Sequence, residues 1–263
     1  MDKESKRGKL VGVRQLYRES WRIYWANFPK SLLHFSLPTF FFLISTSSLY
    51  LLEKTNFRYS IFFSILSFIS YLTSFLLFPL SLLSLYYSLY QNLSFKESLK
   101  IAFKKLPRFI FLLFILFCLF SGSFVLGFVP FLLAFSWFTL SLFPLIEGYE
   151  IIDSLLLSKY FVKGRFWRTF LNLSAIALPL LAISTGIPIF IFLKIDNLYL
   201  SVHLAISTFA LLQLFLLLFL LFYLFLLYES LRQTKEFPAK PLTIKWETLC
   251  VIPTLLGLVL MSY

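Results

Sequence analysis

Apolar residues along this chain gather into six runs, at roughly 31–51, 60–90, 109–128, 130–147, 170–193 and 200–228. Each meets or approaches the length of about 20 residues that a helix needs to cross about 30 Å of hydrocarbon. The runs come in pairs. The join inside the second pair, from Ser121-Gly122-Ser123 through Gly127 and Pro130, carries no charge. It is expected to be a tight turn or a partly re-entrant hairpin whose two ends return to the same side. The second run is too long for one crossing, and its end, Tyr86-Tyr87-Ser88-Leu89-Tyr90, is expected to climb through the interface, where tyrosines are favoured. A last apolar stretch, 248–260, is only thirteen residues long, carries Pro253 and Gly257, and reads as interfacial or half-inserted.

Upstream of each pair the spacing changes to that of an amphipathic helix. In the first, Val13, Leu16, Tyr17, Trp21, Ile23, Tyr24 and Phe28 share one face, while Arg14, Gln15, Arg18, Glu19 and Arg22 share the other. The second opens with Ser94-Phe95-Lys96-Glu97, the pattern of a capping box. The third ends at Lys163-Gly164-Arg165, where glycine can take a left-handed turn. Helices of this kind are expected to lie in the membrane plane. All three share an offset: Ser20 leads to Phe28, Pro29 and Lys30; Ser98 to Leu106, Pro107 and Arg108; Ser158 to Phe166, Trp167 and Arg168. Leu-Phe-Pro-Leu also recurs, at 77–80 and 142–145. The architecture predicted is an all-α membrane protein, a single membrane domain over 1–263. Its six transmembrane helices form three repeats of interfacial helix plus hairpin, at about 10–90, 94–147 and 149–228. A cytoplasmic linker and short apolar tail occupy 229–263.

Composition agrees with the pattern. With 59% hydrophobic residues and 35 Phe, a soluble domain of this size could not cover its apolar surface. Charge then orients the chain. Of the 24 Lys and Arg, 21 fall in 1–30, 91–108, 147–169 and 229–247; only Lys54, Arg58 and Lys194 lie in the gaps within pairs. Basic residues stay cytoplasmic during insertion, so the N-terminus is predicted to lie inside. The net charge of +12 is thereby assigned to anionic lipid headgroups and not to nucleic acid. The first thirty residues are charged and amphipathic, unlike a cleavable signal. Cys118 and Cys250 each sit in an apolar run without CxxC spacing, which points to packing.

Candidate chemistry is sparse. His34 and His203 are predicted at opposite ends of the bilayer, which excludes a shared metal. The carboxylates stand in loops or at span ends, so no intramembrane acid–base couple is expected. Glu147, at the inner end of the fourth span, reads either as dipole complementarity for the next helix or as an ion pair to a basic residue of another repeat. Ser60, Ser64, Ser67, Ser70, Ser74, Ser81, Ser84 and Ser88 fall on one face of the second span, a surface for close helix packing or, failing that, a polar pathway. Lys30, Lys104, Arg108, Lys163, Arg165 and Arg168 are candidate contacts for lipid headgroups, and Trp21, Trp25 and Trp167 are candidate interface anchors. No nucleotide loop, zinc spacing or nucleophile–base–acid order is present, and no catalytic residue or cofactor is assigned.

Two stretches resemble a known family. One runs from Phe143-Pro144-Leu145-Ile146-Glu147-Gly148 to Ser158-Lys159-Tyr160-Phe161-Val162-Lys163-Gly164-Arg165-Phe166-Trp167-Arg168; the other is Glu19-Ser20-Trp21-Arg22-Ile23-Tyr24 with Asn27-Phe28. They are similar to the membrane domain that precedes the catalytic domain in some bacterial glycerophosphodiester phosphodiesterases, and to related stand-alone membrane proteins of uncharacterised function. The resemblance covers roughly residues 10–228. It implies six spans and a cytoplasmic N-terminus in a bacterial inner membrane, and no activity, because the phosphodiesterase chemistry belongs to a soluble barrel missing here. The function expected is structural: organising lipid, or scaffolding a membrane partner. The alternative is export of an amphiphilic substrate, which would need a cavity along the serine face.

Overall fold

The computed structural model describes residues 10–54, 57–195 and 198–235, together with Val259. Among these residues the chain is all-helical: α1 Val13–Lys54, α2 Phe57–Tyr90, α3 Phe95–Val125, α4 Phe128–Phe138, a 3₁₀ turn Thr139–Ser141, α5 Leu142–Glu147, α6 Ile151–Val162, α7 Phe166–Lys194 and α8 Leu198–Gln233. Six stretches are long and apolar enough to cross a membrane: Val13–Leu52, Ile61–Tyr90, Phe95–Val125, Phe128–Glu147, Phe166–Lys194 and Phe215–Gln233.

The first two surface segments are not separate helices, contrary to the pattern reading. α1 continues through Pro29 and Pro38, and α3 through Pro107. A proline removes one backbone bond, but its fixed φ suits a helix, and the apolar residues on both sides keep the helical register. Only the third segment stands alone, as α6, because glycines bracket it. Gly148 (φ 112°) ends α5, and Gly164 (φ 83°) turns the chain from α6 into α7. Joins within pairs are also shorter than the pattern suggests; α3 and α4 are separated only by Leu126 and Gly127 (φ 118°). The recurring Leu-Phe-Pro-Leu has two outcomes. Pro79 lies inside an unbroken α2, whereas the tight turn Thr139–Ser141 immediately precedes Leu142-Phe143-Pro144. There Pro144 would crowd the Leu140 carbonyl in a regular helix, which tightening relieves. The tail at 248–260, apart from Val259, lies outside the described residues, as do Cys250 and the linker beyond Lys235.

Two compact units divide the chain, and α1, α3, α7 and α8 contribute to both. In the unit comprising 1–20, 107–176 and 222–263, α6 packs against α4, the 3₁₀ turn and α5. Its most buried rings, Phe109, Phe143, Phe161, Tyr223 and Tyr228, include the stack of Phe143 on Tyr228 with ring centroids 5.2 Å apart. The chain before α1 is fastened here as well. The Val11 N–H donates to Ser230 Oγ, and the Arg168 guanidinium donates to the Leu10 carbonyl at 2.8 Å.

In the unit comprising 21–106 and 177–221, α2 is sided in reverse of a water-soluble helix. Ile61, Phe62, Ile65, Phe68, Ile69, Leu72, Phe75 and Leu76 are exposed, while Ser67, Ser70, Ser74, Ser81, Ser84 and Ser88 are buried. In water this arrangement would waste its apolar area. In lipid, apolar burial between helices contributes little, and small residues that permit close approach hold a bundle together. Ser67 Oγ lies 3.1 Å from Ser45 Oγ, Ser74 donates to the Pro38 carbonyl at 2.7 Å, and Ser84 Oγ lies 3.1 Å from Ser98 Oγ. Ser64 is exposed, and the Ser60 side chain is outside the described residues.

Candidate functional site

Helix α5 ends at Glu147, and the left-handed Gly148 that follows leaves the carboxylate against the end of α8. Its side chain is only 8% exposed. Oε2 accepts from the Tyr228 hydroxyl at 3.0 Å, and Oε1 accepts from the Arg232 guanidinium at 2.8 Å. Arg232 also approaches Glu229 at 3.5 Å. Charge and phenol together satisfy both oxygens, as a buried carboxylate requires. The partner is a basic residue beyond the third predicted repeat, 85 positions away. Nothing in the sequence singles out Arg232 or Tyr228 for that role.

At the other end of α6 stands a group of cations. Three residues lie on one turn: Lys163 caps the helix, Gly164 reverses the chain, and Arg165 donates its N–H to the Val162 carbonyl. Lys235, which pattern reading did not single out, reaches back to this turn. Its ammonium donates to the carbonyls of Tyr160 and Lys163 and lies 4.9 Å from the centre of the Tyr160 ring. These are last-turn carbonyls with no intrahelical donor, so Lys235 caps the negative end of the α6 dipole. Burial first, then Arg165 and Lys163, hold its pKa below the ordinary lysine value. One turn earlier, the buried Lys159 ammonium sits 4.6 Å from the centre of the Trp137 ring.

The remaining predicted contacts are spread along separate helices. Lys30 on α1 and Lys104 and Arg108 on α3 are exposed, as are Lys163 and Arg168; Arg165 is half-buried. Arg168 has a structural task, the bond to Leu10. Among the tryptophans, Trp167 is 70% exposed at the start of α7, and Trp21 and Trp25 are each 53% exposed. Trp21 and Trp25 meet edge to face at 5.6 Å, and Trp21 also packs on Phe219. The predicted capping box forms: Glu97 accepts from the Ser94 N–H at 3.1 Å and from its hydroxyl at 2.7 Å.

The histidines serve different neighbours. His34 is buried with its ring 4.9 Å from Phe95, and His203 lies 5.0 Å from Tyr50. Along α1, about 24 Å of helix separates His34 from Tyr50, too far for one metal. Cys118 is buried in α3. The chain matches no protein-family model, no curated protein and no solved structure.

Proposed function

We propose that this chain is a non-enzymatic, multi-pass protein of a bacterial inner membrane, with its N-terminus in the cytoplasm, that organises anionic lipid or scaffolds a membrane partner. The observation that carries this reading is the burial of Ser67, Ser70, Ser74, Ser81, Ser84 and Ser88 on α2. Ser67 and Ser74 are bonded to α1 and Ser84 to the first turn of α3. An exporter of amphiphilic substrates, the runner-up, would keep that face along an open path. Lipid enters through charge. Lys30, Lys104 and Arg108 are exposed, and so are Trp21, Trp25 and Trp167; cations and amphipathic rings are each favoured at headgroup level.

The three-repeat organisation belongs to this reading, as does the resemblance to the membrane domain of some phosphodiesterases. Supporting the repeat, Ser20, Ser98 and Ser158, which hold the same place in each alignment, are all fully buried. Against a literal repeat, their hydroxyls bond differently: to Leu16 of the same helix, to Phe95 and Ser84, and to Trp137 of another helix.

The test is lipid retention through purification. Replacing Lys30, Lys104 and Arg108 by Gln should reduce co-purifying anionic lipid, and high salt should do the same to the unmodified protein, while zwitterionic lipid is unaffected. Arg168 is left in place because it holds Leu10. Equal retention of both lipid classes by the unmodified protein would overturn the lipid reading. If a cysteine at Ser70 reacts with a membrane-impermeant reagent, the exporter reading prevails.

A further inference from the structure

Helix α3 carries a row of like charges that its own packing does not explain. Lys96, Lys100 and Lys104 follow one another at intervals of four residues, and all three are exposed. Arg108 continues the spacing along the same helix. Residues four apart on a helix are neighbours, with Cβ atoms about 5–6 Å apart, and like charges so placed work against the helix. The one carboxylate of this stretch, Glu97, is drawn into the helix cap, where it accepts from the Ser94 N–H and hydroxyl. Among the described residues, no ion pair or hydrogen bond engages the three ammonium groups.

An anion with charges at the same interval would offset such a row. Four residues of helix rise about 6 Å. Two phosphates joined through a glycerol bridge are held at a comparable separation. One can then sit between Lys96 and Lys100 and the other between Lys100 and Lys104, each in charge-assisted bonds to two ammonium groups. The helix beyond the row favours a lipid over a soluble anion or an acidic polypeptide. At about 100° per residue, Phe103, Phe111 and Phe114 fall in or beside the sector of the three lysines, and all three rings are exposed. One side of α3 is thus cationic before the apolar run and aromatic within it, the order of phosphate and acyl chain in a lipid.

We infer that Lys96, Lys100 and Lys104 form a seat for a phospholipid whose headgroup carries two phosphates, such as diphosphatidylglycerol. The inference rests on the lipid reading above and deepens it, from attraction to anionic lipid in general to a preference among anionic lipids. Lys100, in the middle, serves both phosphates.

The experiment measures binding of diphosphatidylglycerol, phosphatidylglycerol and phosphatidylcholine to the full chain in neutral micelles by native mass spectrometry, at matched phosphate. α1 carries Arg14, Arg18 and Arg22 at the same spacing, so every protein compared also carries Arg18→Gln, which breaks that second row. Diphosphatidylglycerol should bind roughly tenfold more tightly than phosphatidylglycerol. Lys100→Gln should abolish that preference, and Lys96→Gln or Lys104→Gln should reduce it to roughly threefold. Lys105→Gln removes the same charge from the same helix but off the row, and should leave the preference intact. A preference that survives Lys100→Gln, or that falls as far with Lys105→Gln, overturns the site. Equal binding of both anionic lipids, above phosphatidylcholine, overturns the site and leaves the lipid reading standing. If neither binds better than phosphatidylcholine, the lipid reading itself fails. Displacement of the lipid by inorganic diphosphate, or by polyglutamate of equal charge, would make the ligand a soluble phosphate or an acidic polypeptide and overturn the lipid assignment.

Discussion

A single hydroxyl illustrates how this protein handles its prolines. Pro179 has no N–H to offer the carbonyl of Ala175, four residues back in α7. The Tyr17 hydroxyl donates to that carbonyl instead, at 2.6 Å. Removing the hydroxyl with Tyr17→Phe should therefore cost about 1–2 kcal/mol, since the acceptor is left unmade inside the protein. In a Pro179→Ala background the backbone can supply its own donor, and the same substitution should cost less than half as much. Thermal unfolding of the four proteins in detergent measures this coupling, and equal costs in both backgrounds would separate Tyr17 from the proline. Glu147 follows the same logic. Tyr228→Phe should cost about 2 kcal/mol because its acceptor is charged, and adding Arg232→Gln should cost less than the sum, as both act on one carboxylate. The carboxylate itself was legible as a residue standing out at the end of an apolar span. Its partners were not, because periodicity within a helix says nothing of which helix end meets which across 85 residues.

At the scale of elements, length and apolarity predicted six spans, and local chemistry predicted the Ser94–Glu97 cap and the turn at Gly164. Continuity was the part that stayed hidden. Pro29 and Pro107 read as boundaries, yet both lie inside long helices, because the residue type permits a break without forcing one. Gly164 does force one. At φ 83° an alanine is strained whatever the space, so Gly164→Ala should cost about 1 kcal/mol, while Gly186→Ala, within α7 and with open space around it, should be neutral or mildly favourable. The serine face was legible as a stripe, and its burial makes a sharper test. Leucine at Ser67 or Ser74, both bonded to α1, should overpack and cost about 1–3 kcal/mol. Leucine at the exposed Ser64 should cost nothing measurable. Unfolding midpoints for the three single variants check this, and equal midpoints would mean that the face is not a packed one.

For the whole molecule, orientation is the property that charge alone addresses. Helix geometry is indifferent to it, since six apolar helices can be inserted either way up. The asymmetry is large: 21 of 24 basic residues lie in segments that a hairpin topology puts on one side, and three in the gaps on the other. Lys and Arg within about 15–20 residues of a span resist translocation, and every one of the four basic segments adjoins an apolar run. The N-terminus, the stretch around Asn92 and the α5–α6 turn should then all face the cytoplasm, with the α1–α2 and α7–α8 joins outside. Asn92 is well placed to report this, being exposed, with φ 51°, on the short connection before the Ser94 cap. With Cys118 and Cys250 replaced by serine, a single cysteine at Asn92 should resist a membrane-impermeant maleimide in intact cells and react after permeabilisation. A single cysteine at Asn56 should react in intact cells. The reverse pattern would place all four basic segments outside and remove the charge argument from which the lipid reading begins. Reaction at both positions in intact cells would break the first hairpin itself, and with it the six-span count.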